Sequence, residues 1–256
     1  MGRKLLYGLM GLALLLPLSA QTGREIMEKV MDNQKPASSA MDIRMNLIDS
    51  RGNISTRRIQ TLTMEENGMV KTITLFLEPA TVRNTRFLTV QNDGRDDDQW
   101  IYLPSLRKIK RIASGERDGS FMGSDFTYAD MGGNDLDHSD FTILRDEIFS
   151  GRSCWVIQSV SAQGKESNYG KTISWVDKET YLTLKVEFYD DDGTTQIKEL
   201  TMEGLRETDG FWSAARTTMK TLSSNHQTIL EMRQVKYNIP INPGYFTTNF
   251  LQTGRP

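Results

Sequence analysis

A period of two constrains this chain more than any other feature. In Met41-Asp42-Ile43-Arg44-Met45-Asn46-Leu47 every odd residue is apolar and every even one polar. That is the signature of a strand with one buried face. The rhythm continues through Ile54–Glu65, Met69–Leu77, Arg86–Gln91, Gln99–Leu103, Lys108–Ala113, Phe141–Phe149, Ser153–Ser161, Lys171–Val176, Tyr181–Tyr189, Thr195–Arg206, Phe211–Leu222 and Thr228–Tyr237. Turn clusters separate many of these segments, among them Glu66-Asn67-Gly68, Asn92-Asp93-Gly94, Gly164-Lys165, Asp191-Asp192-Gly193 and Asp209-Gly210. Asn-Gly accepts the positive φ angles of a tight hairpin. Strands joined by short hairpins, with few helices between them, predict an antiparallel sheet rather than βαβ units. So many strands exceed a small closed barrel and suit one large curved sheet.

Such a sheet has an apolar face to cover. Three short helical stretches are available: Gly23–Asn33, with Ile26, Met27, Val30 and Met31 at helical spacing and Pro36 beyond it, a segment near Glu78–Asn84, and the tail near Tyr245–Leu251. They are too few to fill the face tightly. Either the sheet folds onto itself as a sandwich, or a cavity remains between sheet and helices. No repeat or linker interrupts the pattern, so residues 21–256 read as one domain.

Residues 1–20, MGRKLLYGLMGLALLLPLSA, precede it. Arg3 and Lys4 give a positive start, Leu5–Leu16 an apolar stretch, and Pro17-Leu18-Ser19-Ala20 a cleavage site, the three parts of a secretory signal peptide. Twelve apolar residues span about 18 Å as a helix, short of a roughly 30 Å hydrocarbon core. Gln21 rather than cysteine follows, which argues against a lipid-modified terminus.

Composition excludes several functions. A net charge of −2 is not the basic footprint of a nucleic-acid binder. One cysteine excludes an intramolecular disulfide framework and a multi-cysteine zinc site, and two histidines exclude a histidine-rich metal centre. Cys154 reads as a small buried hydrophobe. Asp93 with Asp96–Asp98, Asp190–Asp192, and Asp135, Asp137, His138 and Asp140 are acidic clusters, but none matches a calcium loop and Asp before Gly is ordinary hairpin chemistry. No G-x-S-x-G is present, and Cys154, His138 and His226 lie on unrelated segments, so no nucleophilic site is nominated. No enzyme activity and no cofactor are expected. Methionines in phase on strands (Met41, Met45, Met64, Met69, Met202, Met232) fit either ordinary core or an adaptable apolar surface.

The most distinctive segment is Gln99–Asp130, QWIYLPSLRKIKRIASGERDGSFMGSDFTYAD. An aromatic strand turns at Pro104 into a basic run, followed by a Gly/Ser-rich loop and further aromatics. The basic run reads as a charged edge strand or as a contact for an anionic headgroup or partner. The loop is long enough to suggest function.

Two patterns here, Trp100-x-Tyr102-Leu103-Pro104-x-x-Arg107-Lys108-x-x-Arg111 and Ser120-Phe121-x-Gly123-Ser124-Asp125-Phe126-x-Tyr128-x-Asp130, resemble the LolA-like outer-membrane lipoprotein-sorting family, in a divergent branch. The likeness runs over most of residues 21–256, ending at Tyr237-Asn238-Ile239 and Phe246-Thr247. The resemblance implies an incomplete antiparallel β-barrel with short helices as a lid over an apolar cavity. It further implies a periplasmic carrier that shelters acyl chains of a lipoprotein or lipid for transfer toward the outer membrane, with relatives often paired with RND-type exporters. The residue with which the best-studied carriers discharge cargo is not placed by this sequence.

Alternation then nominates Met45, Leu47, Leu75, Leu77, Trp100, Tyr102, Leu182, Leu184, Val186, Met202, Leu230 and Met232 as lining the cavity. Arg107, Lys108, Arg111, Phe121, Asp125, Phe126 and Tyr128 are expected to meet a headgroup, an outer-membrane acceptor or another partner. A monomer that binds no nucleic acid is expected. The competing reading is a non-catalytic interaction module beside an RND-type exporter or envelope assembly machine, with a solid sheet interior.

Overall fold

The computed structural model describes residues 21–32, 35–92, 94–133, 136–163 and 169–256. The signal-peptide expectation, Asp93, Asp135 and the Gly164-Lys165 turn lie outside these residues.

All thirteen strand expectations correspond to strands: β1 Ser38–Ile48, β2 Ile54–Glu66, β3 Met69–Glu78, β4 Arg86–Val90, β5 Asp98–Leu103, β6 Lys108–Arg111, β7 Ser139–Phe149, β8 Arg152–Ser161, β9 Lys171–Asp177, β10 Thr183–Tyr189, β11 Gln196–Thr208, β12 Phe211–Thr221 and β13 His226–Tyr237. They form one antiparallel sheet in the order β6-β5-β4-β3-β2-β1-β13-β12-β11-β10-β9-β8-β7. The two halves of the chain are thus successive meanders, zipped together where β1 pairs with β13. Hairpin chemistry is as the sequence suggested: Asn67 (φ 55°) and Gly68 (φ 80°) turn β2 into β3, the paired positive φ angles of a type I′ turn. The sheet does not close. β6 and β7 are its two edges.

The sheet curls around one face. Ile101 on β5 and Phe188 on β10 belong to one buried cluster, although seven strands stand between β5 and β10 in the sheet. That cluster, with Ile59, Phe76, Phe87 and Met219, marks the concave side. Helix α1, Gly23–Asp32, covers a flank of that side, where Ile26 and Val30 pack on Ile157 and Val176. A Cβ at Gly23 would stand 3.0 Å from the Phe141 carbonyl oxygen, so glycine lets the helix start this close to β7 without displacing that strand.

Two expectations need correction. Glu78–Asn84 is not helical. It is a series of turns with a cis Glu78–Pro79 bond and Asn84 at φ 67°. The tail does not cover the same face as α1. A 3₁₀ turn at Pro243–Phe246 and helix α2, Thr248–Thr253, place Phe246, Phe250 and Leu251 against Leu62, Ile73 and Leu88. Ile73 and Leu88 alternate with Thr74 and Phe87, which face the other way. The β2–β5 half of the sheet is therefore buried on both sides, not on one.

Thr247 caps α2 by accepting the Phe250 amide, and Gly254 ends it in the left-handed region at φ 70°. Leu251 is completely buried. Leu251→Ala is expected to lower the unfolding free energy by about 2–5 kcal/mol, read by urea denaturation. A loss under about 1 kcal/mol would mean that the tail is peripheral.

Candidate lipid-binding face

The concave face is occupied by the chain's own distinctive loop. Between β6 and β7 the backbone runs through short 3₁₀ turns at Ser114–Glu116, Phe121–Gly123, Ala129–Met131 and Leu136–His138. Its centre is a miniature hairpin. Ser120 and Thr127 form an isolated antiparallel bridge, and the Phe121 amide donates to the Phe126 carbonyl at 2.7 Å. Met122 (φ 54°) and Gly123 (φ 76°) make the tip. The serines bind back on the hairpin: Ser124 Oγ donates to the Phe121 carbonyl at 2.7 Å and Ser120 Oγ to the Ser124 carbonyl at 2.6 Å. The Ser-Phe-x-Gly-Ser-Asp-Phe pattern thus describes a self-bonded turn with two phenylalanines on it.

Those phenylalanines enter the sheet. Phe121 lies 5.0 Å from Phe87 and 5.9 Å from Phe76 between ring centroids, and edge-on to Tyr128 at 5.7 Å. Phe126, Met122, Tyr128 and Met131 join the same cluster, with Ile43, Val186, Leu200 and Leu230 around it. Phe121, Asp125 and Phe126 were expected to be surface contacts, and Tyr128 with them. Phe121, Asp125 and Phe126 are buried and Tyr128 is half-buried.

Polar groups fasten the loop at several points. Asp125 is the chief one. Its carboxylate accepts from Thr221 Oγ1 at 2.6 Å and Thr228 Oγ1 at 2.7 Å, and lies 2.7 Å from His226 Nδ1. An ionised carboxylate places the proton on Nδ1 there. The Asp125 amide donates to Thr228 Oγ1 at 3.0 Å, and its carbonyl accepts from Lys198 Nζ at 2.9 Å. The Tyr169 hydroxyl donates to Asp130 at 3.1 Å; burial first, and Asp130 second, push that phenol well up, so it stays protonated. Gln99 Nε2 donates to the Tyr128 carbonyl at 2.8 Å, and Arg57 Nη1 to the Met122 carbonyl at 2.6 Å.

Sequence reasoning missed these fasteners. A signal existed: Arg57 is in phase with Ile59, Lys198 with Leu200, and Thr228 with Leu230. A polar residue at an inward-facing strand position needs a buried partner.

The twelve nominated lining residues do not share one surface. Val186 and Leu230 pack against the concave cluster. Met45 and Leu47 are buried, with Met45 opposite Leu230 and Leu47 opposite Thr228. Met232 pairs with Ile43, and half-buried Met202 pairs with Thr217. Leu75, Trp100 and Tyr102 pack instead on the tail, on the far side. Leu182 and Leu184 join Cys154, Val156 and Trp175 in a separate cluster. Leu77 is half-buried at a bulge in the β2–β3 pairing. Alternation alone does not say which phase faces inward, and a bulge changes phase without changing composition.

The basic run is partly neutralised. Arg111 Nη2 is 2.5 Å from Asp98 and Lys110 Nζ 2.7 Å from Glu116, which leaves Arg107 and Lys108 exposed. Asp98 also meets Arg95 at 2.7 Å. The acidic clusters behave as turns: Asp190 and Asp192 accept from the Thr194 amide. Among the described residues no group of three or more His, Cys, Asp or Glu is placed to hold a metal. Cys154 is fully buried, which pushes its thiol pKa up.

A family model described only as that of an uncharacterized protein matches residues 68–253. A crystal structure of a putative outer-membrane lipoprotein-sorting protein domain from Vibrio parahaemolyticus is 32% identical over 90% of this chain and 98% of its own, with a TM-score of 0.84. The chain belongs to the LolA-like family. This LolA-like chain shares its fold with a DUF1329 family protein from Desulfovibrio piger (24% identity, TM-score 0.85, 90% of this chain and 98% of that one). It shares it also with a LolA superfamily protein from Nitrosomonas europaea (20% identity, TM-score 0.71, 90% of this chain and all of that one, at 100%). No curated protein matches it. The mainly-β architecture, one open curved antiparallel sheet with few helices, is the LolA-like fold.

The fastening can be tested in two ways. Asp125→Ala strands Thr221, Thr228 and His226 without their shared acceptor, and should cost about 2–4 kcal/mol. Hydrogen exchange at amides 120–128 should then accelerate more than exchange in β1 and β8; equal acceleration throughout would make Asp125 a general core residue. The second test concerns acid. Arg95 chiefly, then Arg111 and Asn92, hold Asp98 well below the usual carboxylate range against the opposing effect of burial. A depressed folded pKa contributes stability above the unfolded value of about 3.9, and that contribution is lost as pH falls below it. Asp98→Asn should therefore be less stable than wild type at pH 7, with a shallower loss of unfolding free energy below about pH 4. Parallel curves would refute the assignment.

Proposed function

We propose that this protein is a non-catalytic carrier that shelters acyl chains of a lipoprotein or lipid in the periplasm, for transfer toward the outer membrane. The loop carrying Phe121 and Phe126 stands where the acyl chain goes. The observation that supports this most is the way the concave apolar face is closed. It is filled by a loop held through side-chain hydrogen bonds, not by a strand or long helix. The lipoprotein-sorting name of the Vibrio relative supports the same reading.

Magnitudes favour exchange. Withdrawing two phenylalanines forfeits about 3–6 kcal/mol of apolar burial. Burying about a dozen methylenes returns roughly 10 kcal/mol. With Met122, Tyr128 and Met131 also packed there, the two are of comparable size, so an acyl chain can exchange with the loop, while the empty protein keeps its apolar face out of water. Loading is then a displacement, and the loop's polar fasteners set its threshold.

The test is binding of a fluorescent fatty acid, with native mass spectra of protein exported to the periplasm and purified without detergent. Co-purifying acyl lipid near one equivalent is expected. Asp125→Ala should tighten probe binding severalfold by freeing the loop, and Leu230→Gln should weaken it. A clean apo mass with no probe uptake by wild type or Asp125→Ala would defeat the reading.

One observation favours the interaction-module alternative. Leu106 is 62% exposed beside Arg107 and Lys108, at the end of edge strand β6. On that reading Arg107→Glu with Lys108→Glu abolishes capture of an RND-type exporter and leaves lipid content unchanged. Capture that survives the reversal makes β6 a charge-protected edge.

A further inference from the structure

A second site lies at one end of the β1–β2–β3 and β13 strands, beside the aromatic plug. Arg44, Arg57, Arg58, Arg83 and Arg233, with Glu78, line a cleft of about 470 Å³. Two β-bulges build it. The β1–β13 register jumps between Asp42 and Ile43, leaving Arg233 as the extra residue, and the β2–β3 register jumps between Arg58 and Ile59, leaving Leu77 extra. A bulge re-aims the side chains beside it, and here both bulges lie next to the cleft. The turn at 79–83 adds Arg83, whose Nε donates to the Leu77 carbonyl at 3.1 Å.

The charges there do not balance. Arg58 pairs closely with Asp42 at 2.6 Å, but its approach to Glu78 is 3.9 Å. Arg44 meets Glu231 only at 3.7 Å, and Glu231 is bound more closely by Arg216 at 2.8 Å. Among the described residues, no carboxylate lies within ion-pair distance of Arg57, Arg83 or Arg233, although Asp42 feels Arg233 at longer range. Arg57 is half-buried over the Phe76 ring, with a backbone carbonyl as its acceptor. Burial pushes its pKa down, the mark of a cation without a compensating anion. Guanidinium forks match phosphate oxygens in geometry as well as charge.

We propose that this cleft binds a phosphate-bearing anion, the phosphodiester headgroup of an anionic lipid. The assignment of the phosphate to a lipid rests on the carrier reading; the existence of the site does not. Arg57 reaches from the cleft to the Met122 carbonyl at the loop tip, so a headgroup here sits next to the point where its acyl chains would enter.

The test is calorimetric titration of the purified protein, at fixed ionic strength, with inorganic phosphate and with monomeric dihexanoyl-phosphatidylglycerol. Saturable 1:1 binding of both is expected, with Arg83→Gln/Arg233→Gln about a hundredfold weaker, roughly tenfold for each guanidinium removed. Arg51→Gln/Arg145→Gln removes the same charge elsewhere and should bind as wild type. Lipid that binds tighter than phosphate supports the headgroup source, and equal affinities support a small soluble phosphate in the same cleft. Binding that is unsaturable, or that weakens equally in both double variants, overturns the site. Fatty-acid uptake by Arg83→Gln/Arg233→Gln reports on the carrier reading separately, since the probe has no phosphate.

Discussion

An open sheet of thirteen strands has two faces and two edges to protect, with little chain left over to do it. Among the described residues, α1, the β6–β7 loop and the C-terminal tail are committed to that task. The concave face takes α1 on one flank and the β6–β7 loop at its centre. The outer face of the β2–β5 half takes the tail. The edges are guarded by charge: β6 is only Lys108–Arg111, and β7 carries Asp140, Arg145, Asp146 and Glu147 with a bulge between Ile143 and Arg145. Short, charged and bulged edges resist pairing with another chain. Because the sheet does not close, its interior is filled by a loop rather than by a further strand.

The two covers differ in how they are held. The tail is fastened mainly by apolar burial, with Leu251 and Phe250 on Ile73 and Leu88. The loop buries aromatics too, but its position is set by Asp125 with Thr221, His226 and Thr228, and by Lys198, Gln99 and Arg57. Hydrogen bonds of this kind are directional, and each can be exchanged for water once the loop swings out, so their net contribution is modest. Apolar contact holds the loop shut; polar contact decides where it shuts. In the proposed exchange, the same division is what would let an acyl chain replace the aromatics without unfolding the sheet.

The strands were legible because an antiparallel meander is written locally. Alternation marks each strand, and Asn67-Gly68 or Asp209-Gly210 marks each turn, so thirteen elements could be placed from neighbours alone. The phase was not legible. Leu75 and Phe76 are adjacent, equally apolar and on opposite sides of a sheet buried on both, and no period-two argument ranks one over the other. Trp100 and Tyr102 were nominated as lining from alternation, yet Ile101 between them is the inward residue. The loop was legible as unusual but not as buried. Its Gly, Ser and Asp content resembles a solvated turn, and the groups that make burial tolerable lie about 70 to 100 residues later, at Lys198, Thr221, His226 and Thr228.

Bulges explain the remaining gap and connect the two sites. Shifting register by one residue moves every later side chain to the other face unless a bulge absorbs it. The shifts at Asp42/Ile43 and Arg58/Ile59 keep Ile43 and Ile59 directed inward while crowding arginines at the strand ends. Arg57 is in phase with Ile59, so it belongs to the inward row, where an apolar residue would complete the wall behind Phe76. Its guanidinium instead reaches the Met122 carbonyl, and the residue also borders the cleft. A residue chosen only for packing would not carry a charge at that position. The arginine makes the rim of the apolar face polar where the loop tip meets it.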